Sequence, residues 1–193
     1  MERRAPRDAA DDRELVARVA GGERAAFGAL VERHQRMVFA LAVRMTGSRD
    51  EALDVMQTTF LNAFRRIGEF RGDASFKTWL YGIALNECRM HHRRAQRTVA
   101  LDAVAEPVAA VAAGDEIDRA ALARLVARLP EKQRAALVLR VTEDLSFREI
   151  GAAIGSSEAA AKVNYFHAVR KLRAWVAAGG APAAAPRSDR GES

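Results

Sequence analysis

Residues 70–97 read F-R-G-D-A-S-F-K-T-W-L-Y-G-I-A-L-N-E-C-R-M-H-H-R-R-A-Q-R, and the rest of the chain is organised around this stretch. A short polar loop, Arg71 to Ser75, lies between aromatics and leads into one helix. That helix opens with Phe76, Trp79 and Tyr81, carries a lone amide at Asn86, and ends in His91, His92, Arg93, Arg94 and Arg97. Aromatics and an amide followed by a basic end are what a protein needs to hold an unstacked base and its backbone. The same residues have a plainer reading. Phe76, Trp79, Leu80 and Ile83 stand at helical spacing, as core residues do. A basic helix end also suits the negative pole of the macrodipole.

Outward from this stretch, composition narrows the choice. The chain has 193 residues, enough for one domain or two small ones. It is 49% hydrophobic but only 6% aromatic, with Ala, Leu and Val dominant, which favours helix over strand. The formal net charge of +6 is the footprint of a polyanion binder, although membrane-surface and merely soluble proteins share it. Cys88 is the only cysteine, so an intrachain disulfide and a CxxC metal site are excluded. The four histidines show no zinc-ligand spacing, and adjacent His91 and His92 point about 100° apart on a helix. No metal or cofactor is expected. The N-terminus lacks an apolar signal region, and no run approaches the roughly 20 apolar residues of a membrane span. A cytoplasmic protein is the expectation.

Upstream, residues 1–10 are charged, Ala-rich and expected to be loose. Asp11 or Asp12 can cap a helix running to Gly21-Gly22. A longer helix follows from about residue 23 to 46, with Phe27, Leu30, Val31, His34, Val38, Leu41 and Met45 on its apolar face. Ser48 caps the next helix, with Glu51 at the capping-box position. Leu53, Met56, Phe60, Ala63, Phe64 and Ile67 form its expected stripe, and Asp54, Gln57 and Thr58 lie off it. Residues 11–95 thus read as one helical bundle.

Downstream, residues 96–116 turn acidic and lose any sustained apolar face, which reads as a flexible linker. Residues 117–176 form a second helical unit, and 177–193 a low-complexity tail expected to be disordered. Leu122, Leu125, Val126 and Leu129 mark one helix of that unit, and Ala135, Leu137, Val138 and Val141 the inward side of another. Ser146 caps a third, with Glu149 completing a capping box. Gly151, Gly155 and Ala161 have the small–turn–apolar spacing of a DNA-binding helix-turn-helix. Its second helix would turn Ala161, Tyr165, Ala168 and Leu172 inward. Lys162, Val163, Asn164, Phe166 and His167 would face outward, where they can contact base edges, thymine methyls or backbone. The plainer reading is a solvated face on an ordinary helical hairpin. The fold class is therefore all-α: an N-terminal helical bundle and a C-terminal helix-turn-helix, joined by a linker.

At this point four motifs stand in order: E-A-L-D-V-M-Q-T-T-F, F-R-G-D-A-S-F-K-T-W-L-Y-G-I-A-L-N, L-P-E-K-Q-R-A-A-L-V-L-R and D-L-S-F-R-E-I-G-A-A-I-G. Together they resemble bacterial RNA polymerase sigma factors of the extracytoplasmic-function type, small two-domain members of the sigma-seventy family. The resemblance runs roughly from Leu15 to Trp175, outside only the linker and the ends. It implies a sigma factor that binds core RNA polymerase and directs promoter-specific initiation, not an enzyme, with no small-molecule substrate. Asp54 and Gln57 match the polymerase-binding helix of region two. The Phe70–Ser75 loop, including Arg71, matches the loop that pockets a flipped base of the minus-ten element. Asn86 matches a residue contacting that strand, with Ile83 beside it, and Arg93 and Arg94 would track phosphates. Lys162, Val163, Asn164, Phe166 and His167 align with positions that read the minus-thirty-five element. Promoter DNA and core polymerase are the implied partners, and an anti-sigma factor is a third.

One departure stands out. Asn164, His167 and Val169 occupy positions where the family commonly has arginines, and Ala159 replaces a glycine. Fewer phosphate contacts imply weaker isolated binding and a shallower salt dependence. Three rivals differ in kind. A free-standing helix-turn-helix repressor would bind a palindromic operator without polymerase. A decoy for an anti-sigma factor would carry a receiver domain, and no receiver pattern occurs. An enzyme would need a catalytic spacing or phosphate loop that the sequence lacks.

Overall fold

In a computed structural model, the backbone is described for residues 5–99 and 115–178, and side chains for residues 12–94 and 121–178. Among them there are eight α-helices and no strand, as the all-α reading expects. They are α1 (Ala5–Ala20), α2 (Ala25–Thr46), α3 (Arg49–Arg65), α4 (Phe76–Val99), α5 (Asp115–Ala127), α6 (Glu131–Glu143), α7 (Phe147–Ile154) and α8 (Glu158–Ala177). A short 3-10 turn over Ile67–Glu69 joins α3 to the loop before α4. The expected linker falls mostly on residues 100–114 and the expected tail on 179–193, outside the described residues.

Two helix starts show how local chemistry sets the fold. Gly47 takes a left-handed φ of 80° and closes α2 by donating to the Val43 carbonyl. Ser48 then caps α3, its Oγ accepting from Glu51 N–H at 3.3 Å. Only that half of the expected capping box forms, because the Glu51 carboxylate lies toward His91 Nδ1 at 3.6 Å. At α7 the box is complete. Ser146 Oγ accepts from Glu149 N–H, and Glu149 Oε2 accepts from Ser146 N–H at 2.8 Å.

The start of α1 differs from expectation. The helix begins at Ala5, inside the stretch expected to be loose, and Asp12 lies within it rather than capping it. Asp12 is buried, with Oδ1 accepting from Arg33 Nη1 at 2.6 Å and Oδ2 placed 2.9 Å from His34 Nε2. An aspartate suits an N-cap and a buried ion pair equally, and only tertiary packing separates the two.

The apolar face of α2 follows the expected spacing, with Leu30, His34, Val38, Leu41 and Met45 buried. That of α3 is rotated. Ala52, Val55, Thr59, Phe60 and Ala63 are buried, while Leu53 is exposed. Small residues let α3 lie close to its neighbours, so the core takes Ala52 and Val55 and leaves the larger Leu53 outside. In α6 the run Ala135 to Leu139 is buried throughout, and Val141 projects outward at 66% exposure.

The two helical units share one continuous core. Leu80, Ile83 and Ala84 of α4 belong to the same buried cluster as Leu139, Ile150, Ala153 and Ile154. A Cβ at Gly82 would stand 3.3 Å from the Ala153 carbonyl oxygen, so α4 and α7 approach closely there. Ion pairs flank this contact: Lys77 Nζ to Glu143 Oε2 at 3.1 Å, and Arg89 Nε to Glu131 Oε1 at 2.9 Å. A smaller cluster of Leu129, Leu137 and Ala168, backed by Leu172 and Trp175, holds α8 to α5 and α6.

Candidate nucleic-acid interface

The loop before α4 is built to hold its shape. Gly72 takes a φ of 77°, a left-handed conformation that L side chains rarely adopt. Ser75 Oγ accepts from Thr78 N–H at 3.1 Å and lies 2.8 Å from Thr78 Oγ1, which anchors the first turn of α4. Phe70 is half-buried, its ring 5.8 Å from Phe76 and 5.5 Å from Trp79. Phe76 in turn packs on His34 at 5.5 Å. The loop therefore rests on an aromatic stack that reaches the buried Asp12–His34 pair.

A cleft of about 440 Å³ opens beside this stack. Phe70, Arg71, Trp79, Ile83 and Asn86 contribute to its lining. Arg71 and Asn86 are exposed and Ile83 is buried in its floor. Ser75 is not among the lining residues; its hydroxyl is committed to Thr78. The far wall is Ala152 to Gly155, from α7 and the turn after it. Arg93 and Arg94 lie exposed further along α4.

Asp54 and Gln57 are exposed on α3 and share a second cleft of about 480 Å³ with Glu87, Met90, His91 and Arg94. Gln57 also borders an apolar groove between α2 and α3, lined by Phe27, Val31, Met56, Phe60, Leu61 and Phe64. Leu53 and Leu61, exposed on the same helix, add apolar surface beside the polar pair. Sequence reading missed this neighbourhood, because it assigned Leu53 to the core and left Leu61 aside. Gly82 was missed too. A lone glycine inside a helix costs about 1 kcal/mol against alanine, and that cost was the available signal.

In the second unit, Gly155 takes a φ of 64° and turns the chain between α7 and α8. Gly151 packs against that turn: a Cβ there would lie 2.9 Å from the Ser156 carbonyl oxygen. Arg140 braces the start of α7, donating to the Leu145 carbonyl at 2.8 Å with its guanidinium 5.5 Å from the Phe147 ring centre. On α8, Ala161 and Ala168 are buried and Tyr165 and Leu172 half-buried, as the inward face requires. Lys162, Val163, Phe166 and His167 are exposed on the opposite side. Asn164 is half-buried, and its Nδ2 donates to the Ala160 carbonyl at 2.9 Å.

Burial pushes the Cys88 thiol up to about 12, so this side chain packs rather than reacts. No described helix is long and apolar enough to cross a membrane.

A helical bundle with an aromatic cleft, followed by a helix-turn-helix with an exposed second helix, defines a DNA-binding protein of two helical units. Comparison with known proteins narrows the class. Residues 30–98 match the family model "Sigma-70 region 2" and residues 119–172 match "Sigma-70, region 4". The RNA polymerase sigma-H factor of Pseudomonas aeruginosa is 38% identical over 156 residues, covering 72% of this chain and 80% of that protein. The ECF RNA polymerase sigma-E factor of Escherichia coli is 36% identical over 156 residues, covering 73% and 81%. A solved structure of CnrH in complex with the cytosolic domain of CnrY is similar, with a TM-score of 0.66 and 32% identity over 87% of this chain and 98% of that one. The sigma factor RpoE from Bartonella quintana, solved with the anti-sigma factor NepR, shares the fold with a TM-score of 0.67 at 22% identity, covering 78% and 96%. The chain belongs to the extracytoplasmic-function group of the sigma-70 family. It is a factor for promoter-specific transcription initiation and not an enzyme.

Proposed function

We propose a division of labour within this sigma factor. Residues 11–95 act as region two, residues 117–176 as region four, and the segment between them as the tether. Asp54 and Gln57 dock on core RNA polymerase, with the apolar groove beside Gln57 adding contact area. Phe70, Arg71 and Ser75 form or brace a pocket for one unstacked base of the minus-ten element, and Ile83 and Asn86 line its approach. Arg93 and Arg94 follow the backbone. Lys162, Val163, Phe166 and His167 face the minus-thirty-five duplex, and Asn164, half-buried and bonded back to the Ala160 carbonyl, lies at the edge of that face rather than on it. The chain works in the cytoplasm, and an anti-sigma factor is a third partner, a reading supported by the similar CnrH–CnrY complex.

The observation that carries this reading is the cleft itself. Of the seven residues expected at the minus-ten element, Phe70, Arg71, Ile83 and Asn86 line a single cavity, while Ser75, Arg93 and Arg94 lie outside its lining. Stacking of a base on an aromatic is worth about 1–3 kcal/mol, enough to offset much of the cost of unstacking it from the duplex. Two weak DNA-binding units on one tether gain further from effective concentration once both sit on polymerase.

The test is binding of the full chain to bacterial core polymerase, beside a D54A/Q57A variant. Both residues are exposed, so the fold should survive. Submicromolar binding that weakens at least tenfold in the variant is expected. Failure to bind core, with a palindromic operator bound by the chain alone, would favour the free-standing repressor.

A further inference from the structure

The outer face of α8 carries an apolar strip set among its polar and basic side chains. Val163 is 52% exposed and Phe166 is 53% exposed, and Ala159 is exposed one turn before Val163. Positions 159, 163 and 166 follow the i, i+4, i+7 spacing that puts residues on one side of a helix. Phe166 is held from two directions, 6.4 Å from the Phe147 ring and 5.4 Å from Tyr165. The one amide on this helix, Asn164, spends its Nδ2 on the Ala160 carbonyl. Lys162 and His167 flank the apolar strip, and Arg170 is exposed behind it.

An exposed valine beside a fixed, exposed phenylalanine needs an apolar partner. In the major groove the apolar group on offer is the C5-methyl of thymine. The strip lies near the start of the second helix of a helix-turn-helix, whose N-terminal residues meet base edges. Flanking cations suit phosphates on either side. We propose that Val163 and Phe166 are specificity-determining residues that select thymine methyl groups in the upstream promoter element. Lys162 and His167 supply position rather than most of the discrimination. This inference rests on the region-four reading above and deepens it.

The experiment uses holoenzyme reconstituted from the full chain and bacterial core polymerase. Duplexes randomised over both promoter elements are selected for binding, and the enriched upstream element is then remade with deoxyuridine for thymine. Deoxyuridine keeps every hydrogen-bonding group and lacks only the methyl. Affinity is expected to fall about fourfold for each contacted thymine, the worth of one buried methylene-sized group. In V163S and F166S variants the substitution should cost less than twofold. Val163→Ile, which keeps an apolar surface, should retain the discrimination. Both side chains are exposed, and thermal melting checks that the variants remain folded.

Enriched upstream elements whose affinity is indifferent to deoxyuridine would overturn the proposal and leave region four as a sequence reader by other means. Absence of any enriched upstream element would sink the region-four reading and the proposal together. Loss of core polymerase binding in V163S and F166S, with an unchanged deoxyuridine effect, would assign the strip to a protein contact and equally overturn it.

Discussion

At the residue scale, Asp12 is the side chain with most to lose. Burial alone pushes its carboxyl up. The hydrogen bond and charge of His34, and those of Arg33, outweigh burial and hold it below the usual carboxylate range. A depressed carboxyl contributes stability that is fully present above its unfolded value near 3.8 and is lost as pH falls through the lower folded value. The D12N variant is therefore expected to be destabilised by about 2–4 kcal/mol at neutral pH, since it leaves buried partners uncompensated. Its acid unfolding limb should be flatter than that of the wild type. Urea titrations at pH 7 and at pH 3 check both points, and equal stability losses at the two pH values would remove the carboxylate from the account. The consequence reaches the DNA-facing loop, because His34 packs on Phe76 and Phe76 on Phe70.

At the element scale, the pair α7–α8 was legible almost in full and α3 was not. The reasons are physical. A complete capping box at Ser146, a left-handed Gly155 and a Gly151 with no room for a methyl are each written in one residue type at one position. The buried side of α3 depends on which small residues let a neighbour approach. Hydrophobic spacing favoured Leu53 over Ala52 and Val55, and the core made the opposite choice. Val141 misled for the same reason, and Asp12 because one side chain suits two roles. Among the candidate site residues, the cleft set around Phe70 and Asn86 was readable as a loop aromatic followed by aromatics and an amide on the next helix. The α7 wall of that cleft was not, because it comes from the other unit. Gly151→Ala tests the best-read element. Its Cβ would press on turn backbone that cannot yield without opening the turn, at a cost of about 1–3 kcal/mol. Thermal melting should show the loss. DNA selection with holoenzyme should show weakened use of the upstream element, with binding to core polymerase kept.

At the scale of the whole molecule, the packing of α4 on α6 and α7 is the feature that organises everything else. It is a mixed surface. Gly82 meets Ala153 closely, yet Arg134 Nε of α6, beside Cys88 of α4, is buried without a hydrogen bond among the described residues. Interfaces with unpaired buried polar groups are weaker than their area suggests. Reversing both flanking ion pairs, as in E131R/E143K, should cost the packed form about 1–3 kcal/mol, between the worth of exposed and buried pairs. Small-angle scattering of the free chain should then report a larger radius of gyration, and melting should split toward two transitions. An unchanged scattering profile would mean that apolar packing alone sets the arrangement. Because Ala152 to Gly155 wall the cleft, a bulky substitution at exposed Ala152 would narrow the opening beside Asn86 without touching α4, so each unit shapes a surface that belongs to the other.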